Sequence, residues 1–138
     1  MEDKIVYAYV VADLLHVGHV LALENARALG DKLIVGVLTD EATMEKKKKP
    51  ILSFSERLQI IRSLKCVDVA IPQKTYTPDE NIKNLKPDIL MESDSHSDED
   101  LKGTREIAER LGIRIFKMPY YPEQSSTKIK KVINEVKD

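Results

Sequence analysis

Lys4-Ile5-Val6-Tyr7-Ala8-Tyr9-Val10-Val11-Ala12, followed at once by Asp13-Leu14-Leu15-His16-Val17-Gly18-His19, is the stretch on which the reading of this chain turns. Ile5 to Ala12 is continuously apolar, the pattern of a strand covered on both faces. Val20 to Leu29 carries Leu23, Ala26 and Leu29 at helical spacing and stops at Gly30. His16 and His19 therefore fall on the turn from a first strand into a first helix. In an open parallel sheet that turn lies at the carboxyl end of a strand, where ligands bind, and the free N–H groups and positive dipole end of the helix favour a phosphate. Gly18 puts no side chain between backbone and phosphate. Two imidazoles three residues apart can converge and donate to phosphoryl oxygens. Fixed donors of this kind would meet the charge that builds on a transferring phosphorus. The bland alternative, one histidine merely capping a helix, is outweighed by the strand, turn and helix around the pair, and the spacing points to a triphosphate.

Outward from this turn the chain alternates. Apolar runs at Lys4–Ala12, Lys32–Leu38, Val67–Ile71, Asp88–Met91 and Ile113–Met118 are separated by helical patterns near 18–29, 55–65, 79–85, 98–111 and 126–136. Such a βαβ series requires a parallel sheet covered on both faces, a Rossmann-like three-layer α/β/α sandwich. Ser53 and Glu56 have the spacing of a capping box for the second helix, and Gly112 is placed to close the fourth.

With 138 residues, 42% of them hydrophobic, the chain is long enough for one packed core and short for two, so residues 1–138 are read as a single domain. Lys and Arg number 22 against 23 Asp and Glu, a net charge of −1. That balance exerts no general pull on nucleic acid or on an anionic membrane, so any anion site is local and the partner is a small molecule. Cys66 is the lone cysteine and has no internal disulfide partner. No run approaches the ~20 apolar residues that span a bilayer. Met1-Glu2-Asp3-Lys4 leads straight into a strand instead of a signal peptide, from which a cytoplasmic location is expected.

Lys46-Lys47-Lys48-Lys49-Pro50 is the one dense positive run. Charge runs are usually solvated faces. This one follows the second strand, at the same sheet edge as the histidines, where a flexible ammonium could fold over a triphosphate. Ser125-Ser126-Thr127 precedes the last amphipathic segment; a hydroxyl there would cap a helix, and together with free N–H groups it would also offer neutral donors to distal phosphates. Ser125 and Lys128 also spell S-x-x-K, but the partner motifs of serine acyl enzymes are missing. Asp94, His96 and Asp98 alternate in a Ser-rich acidic loop better read as a solvated helix entry than as a metal site.

The stretch from Ala12 to His19, then Asn25 to Asp40, the lysine-rich loop ending at Pro50, Ser55-Glu56-Arg57, Val67-Asp68 and Ser125 to Ile129 together resemble the cytidylyltransferase-like family of nucleotidyltransferases over nearly the whole chain. The resemblance implies a five-stranded parallel sheet of order 3-2-1-4-5 and a homodimer. It implies that His16 and His19 stabilise the transition state, that Lys46 or Lys48 contacts the nucleotide phosphates, and that Arg57 reaches toward the active site. It assigns nucleotide binding to Val11, Ala12, Asp13, Gly18, Asp94, Ser125, Ser126 and Thr127.

The chain departs from the family pattern in places. Glycerol-phosphate cytidylyltransferases usually have Gly-Thr-Phe-Asp where this chain has Val10-Val11-Ala12-Asp13, so only the aspartate is kept. The Ala-Asp-Leu-x-His-x-Gly-His form is similar to that of domains associated with phosphonate metabolism. Glu92-Ser93-Asp94-Ser95-His96 replaces a Gly-Asp-Asp-like turn, and Tyr120-Tyr121-Pro122-Glu123 stands where an arginine is frequent. Lys74, Tyr76 and the acidic loop are candidates for the acceptor pocket.

The expected reaction is in-line attack of an acceptor phosphate or phosphonate oxygen on the α-phosphorus of CTP, with Mg²⁺ held mainly by the triphosphate and pyrophosphate leaving. ATP is the alternative nucleotide, because adenylyltransferases for sugar phosphates and flavin mononucleotide share HxGH and the Ser-Ser-Thr segment resembles the heptose-phosphate adenylyltransferases. A non-catalytic nucleotide-binding module is the alternative of a different class.

Overall fold

The computed structural model describes residues 2–93 and 96–118, together with Val132. Its centre is a five-stranded parallel sheet in the order β3-β2-β1-β4-β5, as the resemblance implies. The strands are β1 (Ile5–Val10), β2 (Lys32–Leu38), β3 (Val69–Gln73), β4 (Ile89–Glu92) and β5 (Arg114–Lys117). The helices are α1 (Val17–Ala28), α2 (Asp40–Met44), α3 (Phe54–Arg62), α4 (Asp79–Leu85) and α5 (Asp98–Leu111).

β1 shows why its sequence is apolar at every position. Successive side chains point to opposite faces, so Val6 and Ala8 join Leu23, Ala26, Val35 and Ile61 in one core layer, while Tyr7 and Tyr9 join Leu38, Tyr76, Ile82, Leu101 and Ala108 in the other. Helices α1 and α3 thus cover one face and α2, α4 and α5 the opposite one, which makes the Rossmann-like sandwich. In the second layer the Tyr7 hydroxyl donates to Gln73 Oε1 at 2.6 Å and accepts from Asn81 Nδ2 at 2.9 Å. A Cβ at Gly36 would overlap that hydroxyl, so β2 carries glycine where the phenol crosses it.

The amino edge of the sheet is closed by carboxylates. Asp31, Asp68 and Asp88 each stand immediately before a strand, and they accept from the N–H groups of Lys4, Leu33 and Ile5 at 2.7, 2.8 and 2.8 Å. They satisfy strand-end donors and set the register of neighbouring strands. An anion site has to be built at the carboxyl edge.

Element boundaries shift from the sequence reading, and one element is new. β1 ends at Val10 instead of Ala12, because the chain leaves the sheet through Ala12 and Leu14, both left-handed with φ of 62° and 55°. β3 starts at Val69, not Val67: the Val67 N–H is taken by the Leu64 carbonyl, and Asp68 turns its side chain to Leu33. Pro72 is tolerated within β3 because that strand lies at the sheet's edge. The short α2, absent from the sequence reading, forms because the Thr39 hydroxyl accepts from the Ala42 N–H at 3.1 Å. Helices over 79–85 and 98–111 lie where expected, the latter closed by Gly112 at φ 73°. The helix expected over 126–136 falls outside the described residues. Among the described residues no helix is long and apolar enough to cross a membrane.

Candidate active site

The site grows from the carboxyl end of β1. The chain rises through Val11, Ala12 and Asp13, turns at Leu14, and reaches His16 in an extended conformation at the N-cap of α1. Here the two histidines cap reciprocally. His16 Nδ1 accepts from the Gly18 N–H at 3.0 Å, and His19 Nδ1 accepts from the His16 N–H at 3.2 Å. The three-residue spacing is that of a capping box, with imidazoles in place of Ser and Glu. Their ring centroids lie 4.1 Å apart.

This geometry sets the protons. A nitrogen that accepts carries no hydrogen, so each neutral ring holds its proton on Nε2. Burial, then the adjacent His16, push the His19 pKa down to about 4 against the pull of Asp13. Burial lowers that of His16 as well. Near neutral pH both are uncharged Nε2–H donors, and neither Nε2 is bonded within the described residues. Such a pair can bind phosphoryl oxygens without surrendering a proton.

Asp13 is buried, and its carboxylate accepts from the Ile51 and Leu52 N–H groups, each at 3.0 Å. It ties the turn to the segment that follows the lysines. The lysines preceding Ile51 are all exposed. Lys46 Nζ lies 3.7 Å from Asp100 at the start of α5, and Glu45 accepts from the Tyr76 N–H at 3.0 Å. Lys48 is exposed on the same segment.

Arg57 approaches the histidine turn from below: it is fully buried, with donors directed to the carbonyls of Leu52, Val11 and Leu38 and to the Asp40 carboxylate. The main chain at the ends of β1 and β2 consumes its fork. Tyr76 is buried, with its ring stacked 3.8 Å from that of His96. His96 Nε2 lies 2.8 Å from the Tyr76 carbonyl, a packing role. Asp98 pairs with Arg105, and among the described residues no three acidic, His or Cys side chains could gather round a metal ion. Asp94, Ser125, Ser126 and Thr127 lie outside the described residues. Two features escaped the sequence reading. Asp40 supports Arg57, and Glu92, buried at the end of β4, is held by Arg105 through two bonds of 2.8 and 3.0 Å. The Thr39-Asp40 pair at a strand end was the signal for the first; the second had no local signature.

A family model described as cytidylyltransferase-like matches residues 9–132. The chain belongs to the cytidylyltransferase-like family. It is therefore a member of the nucleotidyltransferases, with the family's turn built as described above. Among relatives, it is 38% identical over 128 residues to the bifunctional protein HldE of Citrifermentans bemidjiense, covering 91% of this chain and 26% of that protein. It is 36% identical over 136 residues to the bifunctional protein HldE of Helicobacter pylori strain P12, covering 97% of this chain and 29% of that one. The cytidylyltransferase-like chain thus spans little more than a quarter of the length of these relatives. The crystal structure of the lipopolysaccharide core biosynthesis protein from Thermoplasma volcanium superposes with a TM-score of 0.77 at 31% identity, over 87% of this chain and 99% of that one. Pantoate-beta-alanine ligase from Francisella tularensis, with a TM-score of 0.59 at 15% identity over 97% of this chain and 70% of its own, shares the fold alone.

Proposed function

We propose that this nucleotidyltransferase uses ATP and transfers AMP to a small sugar phosphate of the heptose-phosphate class, releasing pyrophosphate. The observation that carries the reading is the kinship with HldE proteins over 91% and 97% of the chain, joined by the solved lipopolysaccharide core biosynthesis protein. These relatives move the preference from CTP, expected from the family resemblance, to ATP.

In the proposed reaction an oxygen of the acceptor phosphate attacks the α-phosphorus of ATP in line. The bond from that phosphorus to the bridging oxygen breaks, and the electron pair leaves with pyrophosphate. His16 and His19 meet the developing charge through their Nε2–H groups without proton transfer. Lys46 or Lys48 offsets the phosphates, Gly18 and the main chain of Val11 and Ala12 approach the nucleotide, and Ser125, Ser126, Thr127 and Asp94 complete the contacts. Mg²⁺ would ride on the triphosphate, the Asp13 carboxylate being engaged by two N–H groups. A single domain over 1–138, a homodimer and a cytoplasmic location belong to the same proposal.

Pyrophosphate release measured with Mg²⁺, each nucleoside triphosphate and a set of acceptors decides the matter. The set comprises heptose and other sugar phosphates, glycerol phosphate, a phosphonate and flavin mononucleotide. Release with ATP and a sugar phosphate is expected. Turnover confined to CTP with glycerol phosphate or the phosphonate overturns the nucleotide assignment, and tight binding without release indicates a sensor module.

A further inference from the structure

Two loops far apart in sequence are locked together at the carboxyl edge of the sheet, and neither of the charged side chains that lock them faces outward. Asp13, in the histidine turn, and Arg57, from the first turn of α3, grip the same residue, Leu52. Asp13 Oδ1 accepts the Leu52 N–H at 3.0 Å, and Arg57 Nε donates to the Leu52 carbonyl at 3.2 Å. The second Asp13 oxygen takes the Ile51 N–H at 3.0 Å. Arg57 Nη1 donates to the carbonyls of Val11 and Leu38 and Nη2 to Asp40, each at 2.7 Å. The guanidinium therefore ties the stem of the histidine turn to the end of β2 and to the residue its acidic counterpart holds.

The lysines depend on this clasp. Lys46 to Lys49 are exposed, while Pro50, which follows them, is buried. At the other end Glu45 is anchored on the Tyr76 N–H. An extended residue covers about 3.3–3.6 Å, so pinning Ile51 confines the Cα of Lys48 to within about 10 Å of the clasp. Without it only the contacts of Glu45 with Tyr76 and of Lys46 with Asp100 would hold the segment, and its like charges would drive its C-terminal half away from the turn.

We propose that Asp13 and Arg57 are positioning residues that hold the Lys46–Lys49 segment against the histidine turn, so that ammonium and imidazole groups meet one triphosphate together. Its consequence for turnover rests on the nucleotidyl-transfer reading; its structural content does not.

The test uses Asp13→Asn, which preserves shape and one acceptor oxygen but sets an NH₂ group against the other N–H. Amide hydrogen exchange at Ile51 and Leu52 is expected to quicken at least about tenfold while the amides of β1 keep their protection. Turnover is expected to fall about 10²-fold, the scale of an ångström-level misplacement. In a Lys46→Met, Lys48→Met background the same substitution is expected to cost at least about tenfold less, because the groups it positions are gone. A purely structural role would lower stability and leave the two losses multiplying. Arg57→Lys, which retains charge but loses the fork, supplies the second arm: with the Leu52 carbonyl and the Val11 stem released, the Ile51 and Leu52 amides that Asp13 holds are expected to exchange faster. Unchanged exchange at Ile51 and Leu52 in both variants, or a full turnover loss in the lysine-depleted background, overturns the proposal. Should the wild-type protein release no pyrophosphate with any substrate pair, the catalytic reading fails and the exchange measurements alone decide the clasp.

Discussion

His16 and His19 cap each other across the first turn of α1: the His16 N–H donates to His19 Nδ1, and His16 Nδ1 in turn accepts from Gly18. Protonating either Nδ1 breaks a cap, so the arrangement holds both rings neutral. For His19 the ordinary value of 6.5 falls to about 4 in the folded chain. Between those values the unfolded chain binds a proton that the folded one refuses, so this contribution to stability is complete above about pH 6.5 and is lost as pH drops toward 4. Denaturation at pH 7 and 4.5 should show a larger decline for the wild type than for His19→Asn, which has no proton to bind. Nucleotide phosphates near Nε2 favour the imidazolium, so the His19 NMR titration should move upward when nucleotide binds.

Capping and catalysis can be separated at His16. His16→Ala removes the cap acceptor, at about 1 kcal/mol, and the Nε2–H donor, at about 10²-fold or more in turnover. His16→Asn restores a short cap acceptor without a donor at the same reach. Thermal unfolding should therefore recover in His16→Asn while pyrophosphate release stays low. Recovery of both would reduce His16 to a helix cap.

Gly36 and Tyr7 test the layer beneath the site. Gly36→Ala places a methyl group on the Tyr7 hydroxyl, an overpacking cost of about 1–3 kcal/mol. Tyr7→Phe leaves the buried Gln73 Oε1 without its donor, also at about 1–3 kcal/mol, while Asn81 keeps the Pro72 carbonyl. In the double variant the methyl meets a ring without its hydroxyl, so chemical denaturation should give a combined loss smaller than the sum.

Much of this architecture was legible because the decisive signals are local. The unbroken apolar run of β1, the Leu23 and Ala26 stripe of α1 and the Gly112 stop each state a backbone preference within a few residues. The histidine turn was legible in position for the same reason. Its reciprocal cap was not, because the pattern shows that two imidazoles converge without showing what their Nδ1 atoms accept. The burial of Arg57 was not legible, for a physical reason. An arginine is almost never fully buried unless paired, and its partners at Val11, Leu38 and Asp40 lie 17 to 46 residues away, beyond any local pattern. β3 slipped by two residues because Val67 and Asp68 look like a strand start, while their hydrogen bonds close the preceding turn and the neighbouring strand.

Glu92 and Arg105 make the last case, at the far side of the carboxyl edge. The Glu92 side chain is 3% exposed and that of Arg105 38%, so solvent reaches the cation but hardly the anion. Arg105→Ala leaves a carboxylate enclosed without its counter-charge. The cost expected is about 2–3 kcal/mol, below that of stranding a wholly buried charge because water already screens the arginine side. Glu92→Gln combined with Arg105→Met removes both charges and should recover most of the loss at pH 7. Because the Glu92 carbonyl accepts the Met118 N–H at 2.8 Å, weakening this pair should also speed amide exchange at Met118, where the chain leaves β5. Protection at Met118 that stays at the wild-type level in Arg105→Ala would show that the pair and the end of β5 are not coupled.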